Sequence, residues 1–374
     1  MKNSLHSTRC SQIAVQQQHW GVLMGETLHK AARHVRNAAL AGFRAVGGLK
    51  RVAASGWRRQ RLLILCYHGV SLQDEHEWAP ALFVTPAFLR RRFEILRDSG
   101  YVVLPLGEAV RSMRRGTLPR RSVVLTFDDG FHNFYAAAVP LLEEFGYPAT
   151  NYMSSYYCVH QHPIPIVTLR YLLWRARLQA LAPGVLPGQD GLVDLRDPQQ
   201  RDTLAAKLFN EALSSDRNAQ YAWLGEVASR LGVDWENILR SRLFHLMNAA
   251  EVTDIARRGF DVQLHTHRHR TPRDKSAFCR EVIENRRILE ELTGRPATHF
   301  CYPSGDVDPI FLPWLRELEV ETATTTRVGG LARAEHDPLL LPRYTDTMGQ
   351  SEVWFESWLS GAGAIFSRRA PERA

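Results

Sequence analysis

The sequence has no run of about 20 apolar residues, the length a membrane-crossing helix needs, so no spanning segment is expected. No secretory signal is expected at its start either, because Gln16, Gln17, Gln18 and His19 stand where the apolar stretch of such a signal belongs. Cysteine is scarce and odd in number: five residues (Cys10, Cys66, Cys158, Cys279, Cys301), none in a Cys-x-x-Cys pair. That excludes a disulfide scaffold and a cysteine-ligated zinc site. Cys66 and Cys301 lie in apolar, strand-like runs and read as core thiols. There is no internal repeat and no low-complexity tract. Together these absences predict a reducing, cytoplasmic location.

Charge of one sign is present but badly distributed. The 374 residues carry a net charge of +8. Residues 1–61 hold 11 basic side chains and one acid, Glu26, whereas residues 62–374 hold 36 basic and 38 acidic residues. The body is therefore nearly neutral, which removes the argument for a nucleic-acid partner. The basic stretch reads as an N-terminal extension over 1–61. Its helix-compatible part, residues 27–54, is expected either to be solvated or to make peripheral contact with an anionic membrane.

From residue 62 strands alternate with helices. RLLILCYHG, YVVLPL, SVVLTFDDG, YPATNYM, DVQLHTH, THFCYPSG and ETATTT read as strands. PAFLRRRFEILRD, HNFYAAAVPLLEEFG, SAFCREVIENRRILEELTG and IFLPWLRELEV read as helices, three of them closed by Gly100, Gly146 and Gly294. Apolar strands separated by helices predict a parallel sheet covered on both faces, as a barrel or a doubly wound sheet over residues 62–360. A helical insertion at about 160–247 interrupts the rhythm, and residues 361–374 read as a tail.

Three polar clusters directly follow predicted strands, where function gathers in such folds. In Thr126-Phe127-Asp128-Asp129-Gly130, adjacent carboxylates repel unless a cation makes both tolerable. In His265-Thr266-His267-Arg268-His269, a helical turn would put His265 and His269 on one face, and an extended chain would add His267. In Phe300-Cys301-Tyr302-Pro303-Ser304-Gly305, backbone N–H groups at a turn could meet an oxyanion. Asp129, His265 and His269 supply one carboxylate and two nitrogens, an open ligand set for a divalent metal. Asp128 beside it is placed to take a proton from water.

Thr126-Phe127-Asp128-Asp129-Gly130 with Asn133, Pro140 and Pro148-Ala149-Thr150 resembles the first motif of the polysaccharide deacetylases, the NodB-homology or carbohydrate esterase family 4 domain. His265-Thr266-x-x-His269 is similar to the second motif, and Tyr302-Pro303-x-Gly305 to part of the third. Tyr67-His68 and Leu341-Pro342-Arg343 also look like features of bacterial members. The resemblance implies a distorted (β/α) barrel of about seven repeats and a zinc-type divalent metal. It also implies removal of N-acetyl groups from N-acetyl-hexosamine residues of a glycan. It makes Asp128 the base, makes Asp129, His265 and His269 the metal ligands, and sets the Tyr302 N–H against the oxyanion.

Two departures qualify this. Cys301 stands where the family often has arginine, and Arg343 is the candidate to orient the base instead, against a surface ion pair. The late Leu-x-His motif is absent, which leaves the proton donor unassigned among His336, His132 and His267. The competing readings are a deacetylase or deformylase of a lipid-linked or small amidated sugar, and a non-catalytic glycan-binding barrel.

Overall fold

The apolar runs fold as short parallel strands that curl around a common interior. The computed structural model describes residues 33–212, 217–326 and 330–366. The main sheet comprises β1 (Leu63–Tyr67), β2 (Val102–Val103), β3 (Ser122–Phe127), β4 (Thr150–Met153), β5 (Asp261–Leu264), β6 (His299–Cys301), β7 (Thr322–Thr325), β8 (Leu341–Pro342) and β9 (Tyr344–Thr345). Their spatial order is β8-β7-β6-β5-β4-β3-β1-β9, with β2 beside β3, and the pairings are parallel. β1, β3, β4 and β7 are buried at every residue, as strands covered on both faces must be.

One extended run closes the barrel. Leu341 and Pro342 pair with Thr324 and Thr325, while Tyr344 and Thr345 pair with Leu65 and Cys66. Arg343 sits between the two pairings, at the seam. The distorted barrel expected from the sequence is present, with eight strands on its closing path.

The helices start and stop where local chemistry directs. The helix Pro86–Asp98 begins with the Thr85 hydroxyl accepting from the Phe88 N–H and with Pro86 in its first turn. The long helix that precedes β6 is capped by Asp274 and ends at Gly294, whose φ of 66° suits the left-handed stop. Labels used below are α1 (Gly48–Ala54), α2 (Ala249–Arg257), α3 (Lys275–Thr293) and α4 (Glu352–Ser360).

Between β4 and α2, the stretch read as an insert holds the helices Pro165–Arg175, Pro198–Ala212, Arg217–Arg230 and Trp235–Arg240. It also holds an antiparallel pairing, Ala180–Leu181 with Val193–Asp194, that the sequence pattern did not flag. Leu169, Leu172, Leu208 and Val227 of this region join the same buried cluster as Leu65, Phe127 and Leu264 of the barrel.

Of the basic stretch 1–61, residues 1–32 lie outside the described residues. Residues 33–45 are helical, and with α1 and the turn Gly56–Arg59 they pack on the body near α4. Leu40 and Leu49 are buried there. The Arg36 guanidinium lies 3.7 Å over the Trp354 ring, and Arg44 pairs with Glu356 at 2.9 Å. Arg58 is 1% exposed and donates to the carbonyls of Leu359 (2.9 Å), Arg61 (2.5 Å) and Ser122 (3.2 Å). Its burial draws the guanidinium pKa down to about 10. The division at residue 61 is thus one of charge, not of packing. Residues 362–366 of the tail are helical, and 367–374 lie outside the described residues. Among the described residues no helix is long and apolar enough to cross a membrane.

Candidate active site

The carboxyl ends of β1, β3, β5 and β6 and the Arg343 seam converge at one mouth of the barrel. Asp128 and Asp129 leave β3 in a turn whose second and third residues are left-handed: Asp129 at φ 73° and Gly130 at φ 85°. Glycine is required at 130, since a Cβ there would lie 2.5 Å from Met153 Cγ. The turn separates the two carboxylates. Asp128 points into the barrel, and Asp129 faces the histidine loop.

Asp128 is 2% exposed and is gripped by Arg343 through two parallel bonds, Nη1 to Oδ1 at 2.7 Å and Nη2 to Oδ2 at 2.6 Å. Arg343 also donates to the Thr126 hydroxyl at 3.0 Å and touches Cys301 Sγ at 3.0 Å. This is a buried fork and not a surface ion pair. Burial works to raise the Asp128 carboxyl, but the guanidinium overrides it and holds the pKa at about 2. The thiols of Cys66 and Cys301 approach Asp128 Oδ2 at 3.6 and 3.5 Å. Burial pushes both thiol pKa values up, so they remain weak S–H donors.

His265 Nε2 and His269 Nε2 lie 3.2 and 3.1 Å from Asp129 Oδ1. His265 Nδ1 faces the Cys301 carbonyl at 2.9 Å. A carbonyl only accepts, so Nδ1 carries a proton and Nε2 is the ring nitrogen that faces Asp129. Nε2 and the carboxylate oxygen are both atoms that a divalent cation takes as ligands. Burial works against ionised Asp129, and the two histidines override it, holding its carboxyl well below the usual range. His269 is shifted the other way, since burial lowers it but Asp129 raises it further.

Asp129, His265 and His269 place one ligand atom each within 4.8 Å of one another. Two other trios, Cys66–His68–Asp128 and Asp128–His265–Cys301, also meet that distance. Both depend on Asp128, already committed to Arg343, and on a thiol that burial keeps protonated. The first trio is therefore the donor set that suits a divalent ion.

Neither sequence geometry for the histidines is adopted. Thr266 (φ 60°) and His269 (φ 54°) are left-handed, which bends the loop back on itself and brings His265 and His269 together without a helix. A left-handed threonine is unusual because it is β-branched, and each such residue costs about 1–3 kcal/mol. His267 is turned away: its Nδ1 bonds the Ser155 hydroxyl at 2.9 Å, and its ring packs on Tyr156.

The three histidines named as proton donors are all engaged elsewhere. Besides His267, His132 pairs with Glu251 at 3.0 Å and His336 packs against Arg333. Another histidine stands at the mouth: His68 Nε2 is 3.8 Å from Asp128 Oδ2, its side chain is 21% exposed, and Nδ1 has no partner. His68 entered the sequence reading only as a family likeness. The signal that would have found it is its position immediately after β1, next to β3 in the sheet.

Tyr302 is buried, and its hydroxyl donates to the Leu339 carbonyl at 3.0 Å. Its N–H, expected against an oxyanion, makes a long 3.4 Å contact with the Thr324 carbonyl, with which a substrate oxygen would compete. Beside the site opens a cavity of about 340 Å³ lined by His269, Thr271, Pro303, Ser304 and Asp306.

Residues 115–176 and 228–323 match the family described as polysaccharide deacetylase, and the gap between them falls in the helical insert. Over 100 residues, 26% of the chain, the sequence is 34% identical to the poly-beta-1,6-N-acetyl-D-glucosamine N-deacetylase of Escherichia coli (strain K12). The match covers 14% of that protein's length. Among solved structures, the Streptococcus pyogenes deacetylase PplD superposes with a TM-score of 0.52 at 19% identity, covering 78% of this chain and 94% of its own. IcaB from Ammonifex degensii superposes with a TM-score of 0.50 at 19% identity, covering 81% and 97%. At these identities the superpositions establish a shared barrel.

Proposed function

We propose that the chain, whose residues 115–176 and 228–323 match the polysaccharide deacetylase family, is a metal-dependent hydrolase of that family. It removes N-acetyl groups from N-acetyl-hexosamine residues of a glycan, and the β-1,6-linked N-acetyl-glucosamine polymer named for the Escherichia coli relative is the first substrate to test. The observation that carries the reading is the juxtaposition of the Asp129–His265–His269 donor set with an Arg343-clamped Asp128.

Asp129, His265 and His269 would hold the ion, and two imidazoles with one carboxylate suit zinc. The chemistry a bound divalent ion supplies is Lewis-acid polarisation of the acetamide carbonyl. The chain's own residues do the rest. Asp128, ionised at neutral pH and fixed in direction by Arg343, takes a proton from the attacking water. The water oxygen bonds to the acetyl carbon, and the carbon–nitrogen bond then breaks. His68 stands on the exposed side of Asp128 and delivers a proton to the departing amine, so that amine and acetic acid leave.

Acetate release from β-1,6-linked N-acetyl-glucosamine oligomers, with and without a chelator, tests this. Release that stops with chelator and returns with Zn²⁺ is expected. No release from any N-acetyl-hexosamine oligomer, with metal present, would overturn it.

For the cell, we propose a cytoplasmic location with contact to anionic lipid through the basic stretch 1–61. The support is its charge and the free state of Cys66, Cys158, Cys279 and Cys301. Sedimentation with phosphatidylglycerol vesicles checks the lipid contact, which should weaken as salt is raised.

A further inference from the structure

The histidine loop is held from behind by one helix. Glu281 and Asn285 stand one turn apart on α3, both buried, and both spend their polar atoms on residues 265–270 or their supports. Asn285 Oδ1 accepts from the His265 N–H at 2.9 Å. Its amide donates to the Met153 carbonyl at 3.0 Å and to the Ser155 hydroxyl at 2.9 Å, tying the loop to the end of β4. The Glu281 carbonyl accepts from the His267 N–H at 2.9 Å, and its carboxylate accepts from the Arg268 N–H at 2.7 Å. The same carboxylate takes Arg268 Nη1 at 3.2 Å and Arg270 Nε at 2.7 Å. Within the loop, the Arg270 N–H donates to Thr266 Oγ1 at 3.0 Å.

The backbone donors at 265, 267 and 268 thus all end on α3. These bonds lock a segment with two left-handed residues into the one shape that aims both imidazoles at Asp129. A leucine at 281 would offer no acceptor to the Arg268 N–H and no partner to the Arg268 and Arg270 side chains. Only an acceptor there fixes the Arg268 N–H. A buried carboxylate retained under such conditions specifies conformation more than it adds stability.

We infer that Glu281 and Asn285 are positioning residues for the metal ligands, preforming the His265–His269 pair before an ion arrives. The inference rests on the reading that Asp129, His265 and His269 hold a divalent ion. Positioning partners of this kind affect metal affinity by about 10- to 100-fold when removed.

The test is Co²⁺ titration of the metal-free full chain by calorimetry, with the visible Co²⁺ spectrum recorded, for wild type, E281Q, E281L and N285A. Thermal unfolding of each metal-free protein is measured alongside. Folded E281L and N285A whose Co²⁺ dissociation constant rises about tenfold or more, with an altered visible spectrum, are the expected result, while E281Q, which keeps an acceptor for the Arg268 N–H, stays nearer wild type. Unchanged affinity and spectrum in folded E281L and N285A would overturn the inference. So would failure of all three variants to fold, which would assign the pair to the fold itself. A wild-type chain that takes up no Co²⁺ would instead refute the metal reading beneath it.

Discussion

Replacing Arg343 by methionine removes the fork from Asp128 while keeping most of the side-chain volume. An ordinary aspartate titrates near 3.9, and this one is held at about 2, a difference of roughly 2–3 kcal/mol in favour of the folded state. The sign follows from the depressed pKa: the contribution is complete above the ordinary value and is lost as pH falls through about 2. In R343M only His68 and His265 are left to oppose burial, so the Asp128 anion becomes a cost. Breaking a buried pair in this way destabilises by about 3–5 kcal/mol at pH 7. The deficit should shrink on acidification, because the variant's Asp128 protonates first. Urea unfolding followed by tryptophan fluorescence, in chelator at pH 7 and pH 4.5, measures both values. Turnover should fall by about 10²- to 10⁴-fold, the loss typical when a base is misplaced. A variant as stable as wild type at pH 7, or one with the same deficit at both pH values, would refute the argument.

Substituting His68 by glutamine should lower kcat by about 10²- to 10⁴-fold with metal content unchanged, read by acetate release and metal analysis. An unaltered kcat would return the donor role to another group. Arg58→Ala strands three carbonyls, so it should cost about 1–3 kcal/mol of stability with kcat unchanged, read by thermal unfolding and acetate release. Glu251 resists burial through His132 and Arg242, which hold its pKa at about 2. E251Q should therefore lose about 1–2 kcal/mol above pH 5, allowing for its contact with water, and the difference from wild type should vanish toward pH 2 in urea titrations.

The parallel barrel and the three strand-end clusters were legible because burial on both faces writes continuous apolar runs, each ending where a polar residue must emerge. Leu341-Pro342-Arg343 was legible only as a family likeness, and its place as the closing stave was not. That role comes from pairing with β7 on one side and β1 on the other, which no local pattern encodes. His68 escaped because its meaning depends on β1 lying beside β3. His267 was misleading because the left-handed Thr266 turns alternate histidines apart, and threonine gives no warning of that conformation. The charge step at residue 61 concealed the packing of Leu40, Leu49 and Arg58, since a buried arginine satisfied by carbonyls looks in sequence like any exposed one.

The central claim divides the two adjacent aspartates, one holding metal and the other moving a proton. It is tested most directly by measuring bound Zn²⁺ and acetate release on the same preparations of wild type, D128N and H265A. The account predicts one equivalent of metal with no turnover for D128N, and neither metal nor turnover for H265A. Wild-type turnover by D128N, or full metal retention by H265A, would contradict it.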